Sequence, residues 1–342
     1  MILKQFKELK EFLSQPQNVV IIGHRNPDGD AIGSTLGLKH YLEKKGHHAQ
    51  VLVPNEYPDF LHWIPGSETV YRFDRQNNQC VKALRRSTII FLLDFNALHR
   101  VGTDMQNTLE KYTNDFALID HHQQPDEFKY MYSDTSMSST CQMVYNFIEM
   151  MEDVDMIDKN IATCLYTGIM TDTGSFRFRA TTSTTHRIIA DLIDKGAEND
   201  KIHSNVNDAN TYSRLQLLGQ ALTNLKVLPD YKTAYITISE EEKKKYDYEK
   251  GDTEGIVNYA LSLKGINFGV IFIEDEEQGI IKISFRSKGK FSVNQFARNY
   301  FNGGGHDNAA GGKSELSMED TINKFITLLP NYKEILETSY EV

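Results

Sequence analysis

Four short segments of this sequence carry side chains able to hold metal ions together. His24-Arg25-Asn26-Pro27-Asp28-Gly29-Asp30 follows the apolar run VVIIG directly and brings one imidazole and two carboxylates. Asp94 ends the run IIFLL, Asp120-His121-His122 ends FALI, and Thr171-Asp172-Thr173-Gly174 follows the helix-like run Ile161–Met170. One acidic strand end is ordinary, because Asp readily starts a turn. Several such ends in one chain, two of them carrying His, point to a polynuclear metal site. Clustered carboxylates repel and raise one another's pKa values, and divalent cations remove that conflict. Two imidazoles with four carboxylates suit a borderline ion such as Mn²⁺, with Fe²⁺, Co²⁺ or Zn²⁺ also compatible, whereas Mg²⁺ prefers all-oxygen shells that keep several waters. Two such ions roughly 3.5–4 Å apart can share a carboxylate and a hydroxide and clamp a phosphoryl oxygen during in-line attack. That chemistry is phosphoester hydrolysis.

The positioning elements are strands alternating with helices. Val19–Ile22, Ala49–Val53, Ile89–Leu93 and Phe116–Ile119 read as short core strands, and Ile32–Lys45 as a helix between the first two. This alternation predicts an α/β fold with a mostly parallel sheet and helices on both faces, whose sites lie at the carboxyl ends of strands. Pro27 and Gly29 are expected to shape a tight turn on which His24, Asp28 and Asp30 converge. Ser139 with Gln142 reads as a capping box opening the helix that carries Met143, Val144, Phe147 and Ile148. Residues 1–195 then form a metal-binding domain, and 196–228 a linker with a connector helix around Ser213–Leu225. Residues 229–342 form a smaller α/β domain with strands Lys232–Ser239, Asn267–Glu274 and Ile280–Arg286, helices near Glu241–Tyr248 and Thr253–Leu263, and a helix Val293–Tyr300.

In that smaller domain Gly303-Gly304-Gly305-His306 precedes Ala309-Ala310-Gly311-Gly312. Three glycines free the backbone to form an amide nest for a phosphate, and His306 adds a donor. Arg286 offers a bidentate fork to the same anion, with Ser287 beside it.

Composition narrows the partners. The 342 residues carry 37 Lys plus Arg against 47 Asp plus Glu, a formal net charge of −10, so the broad basic face of a duplex-DNA binder is not expected. Three cysteines without a CxxC pair exclude a disulfide framework and fit a reducing compartment. No apolar stretch approaches a membrane span and the first residues lack a signal-peptide core, so a cytoplasmic protein is expected. A homodimer is compatible with the sequence.

The segments HRNPDGD, LLD, DHH and TDTG, in this order, resemble the DHH phosphoesterases, and SFRS followed by GGGHDNAAGG resembles the DHHA1 domain fused to them. Length and order look most like the bacterial nanoRNase/pAp phosphatase type, which degrades very short oligoribonucleotides and dephosphorylates 3′-phosphoadenosine 5′-phosphate (pAp). The resemblance implies two divalent cations, with His24 and Asp28 on the first, Asp30 and His121 on the second, Asp94 bridging and Asp172 as the remaining carboxylate ligand. It implies that Asp120 fixes the imidazole of His121, that His122 lies beside the attacking hydroxide or the substrate phosphate, and that Arg100 faces a phosphate or braces its loop. The expected partners are single-stranded RNA of two to a few nucleotides, pAp and related nucleotides. A cyclic-dinucleotide phosphodiesterase shares both domains and is the alternative; a non-catalytic nucleotide sensor is the non-enzymatic one. Ser139 is accounted for as a cap, with Ser138 and Thr140 open to a substrate role. His47 and His48 are expected to face solvent, Glu240–Lys250 to form a solvated helix, and His62, His186 and His203 to lack ligand-like neighbours.

Overall fold

The computed structural model describes residues 3–338, which form two compact units dividing after Ala209. The first unit runs α1 (Leu3–Phe12), β1 (Asn18–Ile22), α2 (Gly29–Lys44), β2 (His48–Val53), β3 (Tyr71–Arg72), α3 (Asn77–Arg86), β4 (Ile89–Leu93), α4 (Thr103–Leu109), β5 (Asp115–Asp120), β6 (Tyr130–Ser133), α5 (Thr140–Met150), α6 (Lys159–Asp172), α7 (Ser183–Asp194) and α8 (Asn199–Asn207). Its six strands make one parallel sheet in the order β3-β2-β1-β4-β5-β6. Both faces are covered, which is why β4 reads as a continuous apolar run. Ile89, Phe91 and Leu93 enter a core with Leu36, Phe147 and Leu165, while Ile90 and Leu92 enter another with Leu84 and Met105. The expected layers are present and the sheet is wholly parallel; the short edge strands β3 and β6 are additional.

The strand order reverses between β1 and β4, which are neighbours. A cleft at the carboxyl ends of such a pair is where open α/β sheets place their sites. α2 leaves β1 there, and α6 crosses it closely. Gly29, Gly33 and Gly37 stand one turn apart on α2. A Cβ on Gly33 would lie 2.5 Å from the Cys164 carbonyl oxygen, and one on Gly29 2.5 Å from Thr171 Oγ1. From the other side, a Cβ on Gly168 of α6 would lie 2.2 Å from Cys141 Sγ and 2.8 Å from Asp30 Oδ1.

Several local expectations are corrected. In the first motif the left-handed residue is Asn26 (φ 55°), while Gly29 is the first helical residue of α2. Ser139 caps α5 through the Gln142 amide, but Gln142 does not reach back; its side-chain oxygen accepts from Ser138 and Thr185. His47 is buried, with its Nδ1 accepting from the Gln17 amide, and only His48 faces solvent. Most of the polar stretch after Gly196 folds as α8, pinned by buried Ile202.

The second unit runs α9 (Tyr212–Thr223), β7 (Lys226–Leu228), β8 (Thr233–Ile238), α10 (Glu240–Lys245), α11 (Val257–Ser262), β9 (Phe268–Asp275), β10 (Ile280–Ser287), α12 (Val293–Tyr300), β11 (Gly304–His306), β12 (Ala309–Ser314), α13 (Met318–Leu328) and α14 (Lys333–Thr338). Its mixed sheet has the order β11-β12-β10-β9-β8-β7, and a phenylalanine-rich core of Phe268, Phe285, Phe296 and Phe325 covers one face.

Candidate metal centre

The four motifs meet at the carboxyl edge of the parallel sheet. Asp94 follows β4 directly in a left-handed conformation (φ 66°), which Asp tolerates better than most residues, and is 1% exposed. One carboxylate oxygen, Oδ2, lies 3.4 Å from His24 Nε2, and the other, Oδ1, lies 3.6 Å from His121 Nε2. Asp28 Oδ1 is 3.8 Å from His24 Nε2. Around His121 Nε2, Asp172 Oδ2 stands at 3.4 Å and Asp30 Oδ2 at 3.9 Å. Two of the ligand triads that result, His24–Asp28–Asp94 and Asp30–Asp94–His121, share Asp94, which also stands with Asp120 and His122 in a third.

These separations are long for direct hydrogen bonds. They approach the spacing of neighbouring ligand atoms around one cation, about 3.0–3.4 Å for ligands at ~2.1 Å. The imidazole tautomers agree with that. His24 Nδ1 is 2.9 Å from the Arg25 carbonyl oxygen, and His121 Nδ1 is 3.2 Å from that of Met137. A carbonyl only accepts, so each Nδ1 carries a proton, and a cation that displaces the second proton would find the Nε2 lone pair of each ring turned toward the carboxylates. The residues therefore fit divalent-cation binding, with Asp94 within reach of both His24 and His121.

Two helix N-termini and one C-terminus deliver the carboxylates. Asp28 caps α2, its Oδ1 accepting from the Asp30 and Ala31 amides at 3.0 Å each. Asp30, almost fully buried, accepts from the Thr140 amide at 2.6 Å and the Cys141 amide at 2.8 Å, so the amino end of α5 holds it. Thr140 Oγ1 donates to Asp94 Oδ1 at 3.0 Å. Thr140 is thus a ligand-positioning residue, and Cys141 joins it through its backbone; the sequence signal was the helix start that the Ser139 cap marks. Asp172 closes α6.

Without a cation, the charges of this cluster distort its titrations. Burial lowers the His24 pKa, but hydrogen bonds and charge from Asp28 and Asp94 more than offset it and push the group up to about 10. His121 is likewise raised, against burial, by Asp94, Asp172 and Asp30. Burial and the Asp94 charge raise Asp30. Burial would raise Asp94 too, but His121 and His24 hold it well below the carboxylate range. Asp172 is pushed up to about 6, by burial and then by Asp94 and Asp28, against the pull of His121.

Asp120 differs from expectation. Its Oδ1 lies 2.7 Å from Nδ1 of His122, so it orients His122 and not His121, whose Nδ1 faces Met137. The other Asp120 oxygen is buried without a hydrogen-bond partner among the described residues. Arg100 sits in the turn after β4, where its carbonyl accepts from the Arg25 amide and its Nε is buried without a hydrogen-bond partner among the described residues.

In the second unit, Arg286 stands near the end of β10, half-buried, with Nη1 donating to the Phe285 carbonyl. Ser287 is buried and internally engaged, donating to the Phe291 carbonyl at 2.6 Å and accepting from Asn308 at 2.8 Å. The glycine segment is an edge strand and not an open nest. Gly304–His306 pairs with β12, the Gly303 amide donates to Ala297, and the Gly305 amide donates to Asn294 Oδ1. A Cβ on Gly303 would lie 2.0 Å from the Gly311 carbonyl oxygen, so this glycine is required by close strand approach.

Residues 18–169 match the N-terminal domain of the DHH family, and residues 230–332 match the DHHA1 domain. The bifunctional oligoribonuclease and PAP phosphatase of Thermus thermophilus is 30% identical over 86% of this chain and 83% of its own. The cyclic-di-AMP phosphodiesterase of Listeria monocytogenes is 26% identical over 95% of this chain, which spans 49% of that protein. Among solved structures, an exopolyphosphatase-related protein from Bacteroides fragilis superposes with a TM-score of 0.92 at 40% identity, covering 98% of each chain.

Proposed function

The chain belongs to the DHH/DHHA1 phosphoesterase family, and from that membership we propose that it hydrolyses very short oligoribonucleotides to mononucleotides and pAp to AMP and phosphate. The observation that carries the reading is the sharing of Asp94 between two His/Asp triads. His24 and Asp28 would hold one cation, Asp30 and His121 the other, with Asp94 between them and Asp172 completing the set. Two bound cations, best Mn²⁺ for this mixed donor set, supply Lewis acidity toward the phosphoryl oxygens and a hydroxide at neutral pH. His122, aligned by Asp120, would present an imidazole to the reacting phosphate. Arg100 would add a guanidinium donor from the turn after β4. Arg286 and His306 of the second unit would recognise a further phosphate of the nucleotide, whereas Ser287 and the Gly303–Gly305 backbone support them structurally.

The choice of substrate rests on the Thermus relative, which matches over most of both chains, and on the acidic surface, which disfavours long polyanions. The similarity to a cyclic-di-AMP phosphodiesterase supports the second reading. Initial rates with Mn²⁺ on RNA of two, five and twenty-four nucleotides, pAp, cyclic di-AMP and its linear product separate the two. The proposal expects dinucleotides and pAp to be cleaved fastest; preferential ring opening of cyclic di-AMP would replace it with the second reading.

A further inference from the structure

We propose that the loop leaving Asp172 is a stacking platform for the nucleobase next to the scissile phosphate, with Phe178 as its aromatic face and Arg177 and Arg179 as its cations. The inference rests on the phosphoesterase reading above and adds to it a residue-level subsite.

After α6 the chain makes three consecutive left-handed residues, Gly174, Ser175 and Phe176 (φ 56°, 58° and 65°). Such a run of unfavourable conformations persists only where the surroundings fix it. Here they do. The Ser175 amide donates to the Met170 carbonyl at 2.8 Å and the Phe176 amide to Thr173 Oγ1 at 3.0 Å. The Phe176 ring packs against Tyr166, His186 and His203, with centroid distances of 5.9, 5.9 and 6.3 Å.

This anchored turn throws Phe178 outward. Phe178 is 41% exposed, yet its ring tip lies against Gly174, where an added Cβ would come within 2.5 Å of Cζ. Gly174 is two residues past Asp172, so at 3.8 Å per Cα step it stands within about 7.6 Å of that carboxylate's backbone. The ring tip therefore lies beside the backbone that leaves a candidate cation ligand. Arg177 and Arg179, on either side, are exposed, and neither forms an ion pair among the described residues. Arg177 is tethered by Nε donation to the Gly174 carbonyl at 2.7 Å, which leaves its terminal nitrogens to a ligand.

Phe178 thus presents an exposed aromatic ring between two exposed arginines on a chain of net charge −10. It matches how single-stranded RNA is held, by bases stacked on aromatic rings with cations on the backbone. Stacking tolerates every base, which suits an enzyme that consumes mixed short fragments.

The test compares wild type, Phe178→Ala and Phe178→Trp, each with Mn²⁺, on ApA and on an analogue with an abasic ribose in place of one nucleoside. Phe178→Ala should reduce the preference for ApA over the abasic analogue roughly tenfold, chiefly through KM, and Phe178→Trp should retain it. Quenching of 2-aminopurine riboside 5′-monophosphate fluorescence on binding, measured without turnover, should weaken in the alanine variant and persist in the tryptophan variant. Equal losses on both substrates, or unaltered quenching in Phe178→Ala, would overturn the platform. Quenching that follows the variants in a protein cleaving neither dinucleotides nor pAp would keep the platform and remove the substrate assignment.

Discussion

Asp120 and His122 show what a motif conceals at the scale of single residues. The tripeptide places both histidines within reach of the aspartate, and only the backbone direction after β5 decides which imidazole it grips. The 2.7 Å contact goes to His122. Asp120→Asn should consequently lower turnover by about ten- to a hundredfold while leaving metal content unchanged. Loss of bound metal measured beside the rates would instead tie Asp120 to His121. The candidate residues stood out in the sequence as His and Asp at strand ends, their division between two cations came only from the family resemblance, and the structure brings those side chains together. Thr140 and Cys141 were not, since their contribution to Asp30 is made mainly by backbone amides, which every residue has. The histidines also set a pH dependence. His24, held up to about 10, and His121, also raised, keep their protons at neutral pH until a cation displaces them. Apparent Mn²⁺ affinity should then rise from pH 6 to pH 8, about tenfold per unit for each proton displaced. Calorimetry in buffers of different ionisation enthalpy would read the released protons, and a pH-independent affinity without proton release speaks against the cluster as described.

Between elements, α2 and α6 cross at close range, which brings Asp172 to Asp30 and Asp94. Glycines at 29, 33 and 37 of α2 and at 168 of α6 permit it. Gly168→Ala would force a methyl into Cys141 and the Asp30 carboxylate, costing about 1–3 kcal/mol and lowering the Tm by several degrees. It should weaken Mn²⁺ binding as well, because the displaced atoms belong to a ligand. Gly219→Ala on α9, where an added Cβ meets nothing within 4 Å, is the control and should leave both unchanged or raise the Tm. A Gly168→Ala protein that melts and binds like wild type would mean α6 can shift without cost to the site. The four-residue glycine spacing was visible in the sequence, but helical periodicity reports which face is apolar and not which helix will cover it. Strands β1, β2, β4 and β5 were legible because they are buried on both faces. β3 and β6, short and at the sheet edges, carry too few residues for a period to emerge.

Across the whole molecule, an α/β fold with a mostly parallel sheet followed by a smaller α/β unit was recoverable from the alternation of short apolar runs with helical patterns, while the mixed pairing of the second sheet was not. The glycine-rich segment was not, because three glycines fit an open nest and a tightly paired strand equally well, and pairing with β12 decides between them. The account as a whole depends on one carboxylate serving two cations, since Asp94 alone contributes an oxygen to each triad. Native mass spectrometry of the full chain titrated with Mn²⁺, with circular dichroism to confirm folding, measures this directly. The wild type should bind two ions, Asp94→Ala should lose both together with all hydrolysis, and His24→Ala should lose only one. A folded Asp94→Ala protein that keeps two ions and near-normal turnover would contradict the bridging assignment.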